Sequence, residues 1–355
     1  MWNVAATPVQ AGTADHQAYM LGTVRLPPLH SAPEYPRIEL PVYGNLVPFN
    51  YQEGAMQLPL NLSETILATE ENTTDGVVPF NSQLLKWFGN KQRFACAIIS
   101  FFPRRFRMYH EPFLGSGAVL GVLAPGRAEA SDSFKPLIDI WQMLRSNPEV
   151  VKDWYRSRWL ESQQGDRVEK YEQIKARYNE RANAADFLFL VRAAYGGVVR
   201  FRKVDGYMST PCGVHQPIHY RSFSFRVDAW SERIRGARFY HREYEESLDR
   251  AREGDVVYCD PPYNHSQAIL YGTQGFSPDE MFRRIEAAKR RGVFVALSLD
   301  ASKKSGCTNC NYDIPSGLFA REVAINCGRS MLKRFQMGGQ TLEQEIVTDR
   351  LLLTH

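Results

Sequence analysis

The chain has 355 residues, 44% of them hydrophobic and 23% charged, with a formal net charge of +4; that is the make-up of an ordinary globular protein, long enough for one elaborated domain or two moderate ones. No apolar run approaches the roughly 20 residues that span a bilayer, and the start MWNVAATPVQAG has neither a basic lead nor an apolar stretch, which argues against a membrane protein and against a secretory leader. Six cysteines at irregular spacing fit a reducing cytoplasm better than a disulfide scaffold.

Residues 1 to about 80 hold nine of the twenty prolines and only short apolar alternations, Ile38 to Val42 and Leu58 to Leu62; they read as a Pro-rich extended arm. The next tract, 81–150, predicts a helix from Ser82 to Phe102 that stops before Pro103, then a strand from Arg107 to Phe113, a glycine turn and another helix. Residues 165–194 read as helical, with Tyr171, Ile174, Tyr178, Ala182, Ala185, Leu188 and Phe189 on one face. Tyr195 to Phe201 reads as a turn entering a hairpin. The last third predicts a strand at 255–259, a helix from Pro278 to Arg291 N-capped by Ser277, and strands at 293–299, 319–326 and 345–353. This alternation implies an α/β fold with a doubly wound sheet. No internal repeat or low-complexity segment interrupts it.

Charge is concentrated. Between Leu190 and Arg242 there are ten Lys or Arg (192, 200, 202, 203, 221, 226, 233, 235, 238 and 242) against three acids, Asp205, Asp228 and Glu232. That local excess is larger than the surplus of the whole chain and points to a polyanionic partner.

Two segments carry chemistry. Glu111-Pro112-Phe113-Leu114-Gly115-Ser116-Gly117 follows an apolar segment, and a Gly-x-Gly there lets the chain turn tightly and a cofactor approach the backbone. It lacks the third glycine of the dinucleotide fingerprint. About twenty residues on, Asp132 suits either a carboxylate bonded to ribose hydroxyls or a helix N-cap ahead of Ser133-Phe134-Lys135. Asp260-Pro261-Pro262-Tyr263 follows the apolar run Asp255 to Cys259, at a strand's carboxyl end where ligands bind in open α/β sheets. The amino nitrogen of an adenine or cytosine is a poor nucleophile, because its lone pair is conjugated with the ring. Hydrogen bonds from its two N–H groups to the Asp260 carboxylate and the Pro261 carbonyl would free that lone pair. Paired prolines stiffen the turn and remove backbone donors, and Tyr263 offers a face for an extruded base.

Together these segments resemble the Dam-type class of DNA adenine-N6 methyltransferases over about residues 84–353. Lys86-Trp87-Phe88-Gly89-Asn90-Lys91 is similar to the class's Lys-Trp-x-Gly-x-Lys opening, Glu111 to Gly117 to its Glu-Pro-Phe-x-Gly-x-Gly, and Phe187 to Arg202 with Pro211 to its target-recognition helix and hairpin. The Asp-Pro-Pro-Tyr turn completes the order. The resemblance implies a Rossmann-like methyltransferase domain formed by 81–150 and 236–355, with a mainly helical DNA target-recognition lobe inserted at 151–235. It implies S-adenosylmethionine as cofactor, no metal, and methylation of adenine N6 in double-stranded DNA after base flipping. Trp87 and Lys91 would lie against the methionine part, with Lys91 near its carboxylate. Glu111, Phe113, Gly115 and Gly117 would line the cofactor, and Asp132 would hold the ribose. Glu243-Tyr244 would flank the adenine in place of the usual Asp-Phe, and Asp260 to Tyr263 would form the catalytic turn. DNA contacts fall to Tyr195, Val198, Arg200, Arg202, Lys203 and Pro211, with Arg200 suited to guanine O6 and N7; Arg202, Lys203, Arg221 and Arg226 suit phosphates. Tyr195-Gly196-Gly197 replaces the family's Tyr-Asn-Gly, so recognition of GATC is not carried over. Location on nucleoid DNA, and a cognate restriction enzyme as a further partner, would follow from the same resemblance.

Alternatives stay open at this level: methylation of adenine in RNA or of cytosine N4 in DNA, or a catalytically silent DNA-binding relative. Asp at 260 favours adenine, since cytosine-N4 enzymes resemble Ser-Pro-Pro-Tyr at this turn. Cys307-x-x-Cys310 is a lone CxxC, read as a pair of ordinary thiols or as half a zinc site. Phe101, Phe102 and Phe106 are assigned to the core, Pro103-Arg104-Arg105 to a surface turn or a DNA contact, and His215 and His219 to the surface.

Overall fold

The computed structural model describes residues 72–87, 89–262, 276–300, 302–303, 308–309, 312–328 and 347–355. Nearly all of the Pro-rich arm, Tyr263, Cys307 and Cys310 lie outside the described residues.

The fold is mixed α/β, built on a seven-stranded sheet. In chain order its strands are β1 (Tyr109–Glu111), β2 (Ala128–Asp132), β3 (Ala237–His241), β4 (Val256–Cys259), β5 (Phe294–Asp300), β6 (Arg321–Gly328) and β7 (Val347–Leu353). In space the order is β6-β7-β5-β4-β1-β2-β3. The five strands from β5 to β3 run parallel, whereas β7 is antiparallel to both β5 and β6. Parallel strands require crossovers that cover both faces, and the side chains of β4 show the result. Val256 and Tyr258 enter one hydrophobic cluster, Val257 and Cys259 the other. Every residue of this strand is buried, which is why it reads as a continuous apolar run.

The helices are α1 (Ala95–Ile99), α2 (Ala118–Leu123), α3 (Lys135–Ser146), α4 (Pro148–Glu161), α5 (Arg167–Glu180), α6 (Ala184–Ala193), α7 (Tyr220–Arg233), α8 (Tyr244–Arg250) and α9 (Pro278–Arg290). Helices α8 and α9 pack on each other and cover one face with Leu248, Met281, Phe282 and Ile285. The other face carries the larger cluster, in which α3, α4, α6 and α7 pack together around Trp141, Tyr155, Phe187, Phe223 and Trp230. Ser277 caps α9 as expected, its Oγ accepting from the Glu280 amide at 3.3 Å.

Three local expectations fail. The helix expected from Ser82 to Phe102 exists only as α1. The carbonyls of Phe80, Ser82, Gln83 and Leu84 are instead taken by side chains: Gln92 donates to Phe80 and Ser82 at 2.5 and 3.0 Å, Trp230 to Ser82 at 2.6 Å, Arg226 to Gln83 at 2.8 Å, and Arg192 to Gln83 and Leu84 at 3.1 and 2.5 Å. Gly89 then takes φ +78°, which breaks a helix. The helical reading of 165–194 splits between α5 and α6, because Asn183 caps the second helix by accepting from the Asp186 amide at 2.8 Å. Ala182, expected on the buried face, is exposed in the break. The strand expected from Arg107 to Phe113 shortens to β1.

Gly121 in α2 faces Trp230 so closely that a Cβ would lie 2.5 Å from the ring. The ring is wedged against Phe80 and Trp141 and cannot retreat. Overpacking costs about 1–3 kcal/mol, against a helix-propensity gain of about 1 kcal/mol for replacing glycine by alanine. Gly121→Ala therefore lowers the urea midpoint of unfolding.

Candidate active site

The carboxyl ends of β1, β2, β3 and β4 bring together the acids and glycines singled out in the sequence. Leaving β1, the chain passes through Pro112 to Gly117 and enters α2. Gly115 and Gly117 adopt φ +48° and +61°, where a side chain is strained, and there is no space for one. A Cβ on Gly115 would meet the Trp87 indole at 2.8 Å, and one on Gly117 would meet Trp141 at 3.1 Å. Trp141 also donates its indole N–H to the Gly115 carbonyl at 3.2 Å. Trp87 and Gly115, predicted to share a site, are thus in contact.

Two carboxylates shape this loop. Glu111, at the end of β1, is buried; its Oε2 accepts from the Tyr109 hydroxyl at 2.8 Å and from the Leu120 amide of α2 at 3.0 Å. It closes the loop by gripping the helix that follows. Burial raises its carboxyl to about 8, against the pull of those two hydrogen bonds, and the nearby Asp260 charge adds to the rise. Asp132, at the end of β2, accepts from the Gly115 amide and the Phe134 amide, both at 3.0 Å. The second bond closes a local turn ahead of α3, whose N-cap is Phe134 without a side-chain cap, so Asp132 is not the helix N-cap that its position allowed; the first ties it to the glycine loop. Burial raises this carboxyl to about 6, opposed by the two amides and by His241, with the Glu243 charge adding to the rise.

Beside Asp132, β3 leads into α8. Glu243 is exposed at the helix start. Tyr244 is buried and stacks on Phe113, ring centroids 5.0 Å apart, with Phe276 against both at 5.7 and 6.0 Å. Phe276 carried no motif; the signal was an aromatic two residues before Pro278.

Asp260 follows β4, with Pro261 buried and Pro262 half-buried behind it. Its Oδ1 lies 2.8 Å from the Lys91 ammonium. Lys91 is buried, donates to the Gly89 carbonyl at 3.2 Å, and lies 3.6 Å from Asp349 of β7. The lysine predicted for the cofactor therefore sits on the predicted catalytic acid. Asp349 escaped the sequence reading; the one available signal was an acid inside the apolar strand 347–353.

The predicted DNA contacts share a second locus, a hairpin at 194–213 bridged at Ala194–Cys212 and Phe201–Met208. Tyr195 donates its amide to the Pro211 carbonyl at 2.9 Å. Tyr195, Arg200, Lys203 and Pro211 are exposed and Val198 is half-buried. Arg202 is turned back, paired with Asp205 at 2.5 Å and lying 4.3 Å over the Tyr207 ring. Gly196 has φ +63°, a conformation asparagine also tolerates, which accounts for the exchange at that position. Arg192, counted in the basic cluster, is buried. His219 is exposed and caps α7 through the Arg221 amide at 3.2 Å, and His215 is exposed. Phe102 and Phe106 are buried, and Arg104 pairs with Asp75 at the surface. Among the described residues no group of His, Cys, Asp or Glu forms a metal cluster, and no helix is long and apolar enough to cross a membrane.

A glycine loop flanked by strand-end carboxylates lies at the carboxyl edge of a mostly parallel sheet, the position at which ligands bind in open α/β folds. The family follows from sequence comparison: residues 87–305 match the family described as D12 class N6 adenine-specific DNA methyltransferase, and the chain belongs to it. It is 25% identical to the type II methyltransferase M1.LlaDCHI of Lactococcus lactis subsp. cremoris over 61% of this chain and 80% of that protein. It is 26% identical to the DNA adenine methylase of Vibrio cholerae serotype O1, over 60% and 79%. With the retron Ec67 DNA adenine methylase of Escherichia coli it shares 29% over 57% and 70%.

Two measurements test the geometry. Removing the cation takes from Asp260 and Asp349 the ion-pair partner they share, and breaking a buried ion pair costs about 3–5 kcal/mol; Lys91→Met is expected to lose stability of that order in denaturant titration. The folded protein holds a proton on Glu111 that the unfolded chain, at its ordinary value of 4.5, has released. The stability this contributes is complete below about pH 4.5 and is lost as pH rises through about 8. The melting temperature is expected to fall across that interval, and Glu111→Gln to flatten the fall.

Proposed function

We propose that this chain methylates adenine N6 at specific sites in duplex DNA, using S-adenosylmethionine and an adenine rotated out of the helix. The observation that carries the reading is Asp260, held by Lys91 on the turn after β4, beside the glycine loop. On this reading the seven-stranded sheet is the doubly wound, Rossmann-like methyltransferase sheet, formed by 81–150 and 236–355. Residues 151–235 are the target-recognition lobe inserted into it.

The residues present fit the cofactor. A cradle in which Cβ atoms at Gly115 and Gly117 would strike Trp87 and Trp141 admits a ligand against bare backbone. Glu111 and Phe113 hold that loop, the lone pairs of Asp132 not used by Gly115 and Phe134 would accept ribose hydroxyls, and Tyr244 beside Glu243 would cover the adenine. S-adenosylmethionine, when bound, supplies a methyl group on a sulfonium. The chain's own part is to prepare the acceptor. The Asp260 carboxylate and the Pro261 carbonyl would accept hydrogen bonds from the two N6–H groups, drawing the nitrogen toward a pyramidal shape and localising its lone pair; one of the two protons leaves when N6 takes the methyl and the sulfonium becomes a thioether. Lys91 pairs with the carboxylate and fixes its direction. Pro262 stiffens the turn, and Tyr263 would stack on the base. Tyr195, Val198, Arg200, Arg202, Lys203 and Pro211 would contact DNA, with Arg200, exposed on the hairpin, suited to read guanine. The type II methyltransferase among the relatives supports a setting beside a restriction enzyme.

With labelled S-adenosylmethionine and mixed-sequence duplex DNA, Asp260→Ala is expected to lower methyl transfer by about 100-fold or more while still binding the cofactor. Transfer at the wild-type rate would overturn the role given to Asp260.

A further inference from the structure

The hairpin at 194–213 is poorly fixed by its own pairing. Between its two bridges the outgoing strand has six residues, 195–200, and the return strand three, 209–211. The short 3-10 turn Tyr195–Gly197 takes up the excess. So unequal a pair does not by itself specify register.

The return strand has a second partner, one face of α5. Four side chains spaced by four residues reach it in turn. Arg167 donates to the carbonyls of Gly213 and Val214. Tyr171 and Lys175 both donate to the Thr210 carbonyl, at 3.0 and 3.2 Å. Asn179 makes two bonds to Met208, accepting from its amide at 2.6 Å and donating to its carbonyl at 3.2 Å, as a neighbouring strand would.

The spacing is commensurate. Twelve residues of helix rise roughly 18 Å, and the five or six residues from Met208 to Gly213 or Val214 extend roughly 17–20 Å. Tyr171, Lys175, Met208 and Thr210 are all buried, so the two bonds to the Thr210 carbonyl do not compete with water. The fixed strand then fixes Arg200: its amide donates to the Thr210 hydroxyl at 2.8 Å, and its carbonyl accepts from the Ser209 amide at 2.9 Å.

We propose that Arg167, Tyr171, Lys175 and Asn179 act as positioning residues that set the register of the hairpin, and so decide which base edge Arg200 reaches. A slip of one residue would send each side chain of the strand to the opposite face. The proposal rests on the reading of the hairpin as the DNA-contacting element.

The test measures discrimination: kcat/KM on a duplex carrying the preferred site, found by sequencing methylated adenines, divided by kcat/KM on duplexes with one base pair changed. Asn179→Leu and Thr210→Val are expected to lower this ratio about tenfold, within the span of one lost bidentate base contact. Thr210→Ser, which keeps the hydroxyl, is expected to stay within about twofold of wild type, and S-adenosylmethionine affinity to be unchanged in all three. Thr210→Val is close to isosteric and remains informative if Asn179→Leu fails to fold. Arg200→Ala separates the two levels. If Arg200→Ala relaxes the site but Thr210→Val and Asn179→Leu leave discrimination unchanged, the clamp is overturned while the hairpin's role stands. If Arg200→Ala itself leaves the site unchanged, the reading of the hairpin is overturned, and the clamp with it.

Discussion

A single buried cation organises the candidate active site. Lys91 comes from the irregular segment ahead of α1, Asp260 from the turn after β4, and Asp349 from the antiparallel strand β7. A lysine taken out of water is costly unless paired, and so is each carboxylate. The three therefore hold one another, and in doing so they draw together three chain segments far apart in sequence. The catalytic reading of Asp260 needs a carboxylate held in a fixed direction, and the pairing with Lys91 supplies it.

Around that centre the glycine loop is shaped by exclusion. Trp87 and Trp141 occupy the space that Cβ atoms on Gly115 and Gly117 would need, so the loop offers backbone and little else. Its geometry is then tightened from two sides, by Glu111 gripping α2 and by Asp132 gripping the Gly115 amide. Parallel pairing of β1 with β2 and β4 brings the carboxyl ends of these strands to the same edge, so the glycine loop, Asp132 and Asp260 meet there without any contact near in sequence.

Much of this was legible in the amino-acid sequence, for physical reasons. Strand β4 is buried on both faces, so it appears as an unbroken apolar run, and the turn after it is marked by two prolines. The glycine loop is legible because no other residue tolerates that conformation against a tryptophan. What was hidden depends on tertiary partners. Ser82 to Phe94 has the pattern of a helix, yet Gln92, Arg192, Arg226 and Trp230 take its carbonyls; three of these four lie at least a hundred residues away. Asp349 has no local signature, because its role is defined by Lys91. On α5, Tyr171 counts among the apolar positions, and Arg167, Lys175 and Asn179 gain a role only when the return strand is laid against the helix. The pairing of Lys91 with Asp260 is a relation between two motifs, each of which was visible alone.

The central claim is that the turn at Asp260 prepares an adenine amino group. Nucleoside mass spectrometry of unmethylated duplex DNA, incubated with the protein and S-adenosylmethionine, tests it most directly. The account predicts N6-methyladenine confined to one sequence context, abolished in Asp260→Ala. Appearance of N4-methylcytosine instead, or N6-methyladenine formed equally well by Asp260→Ala, would contradict it.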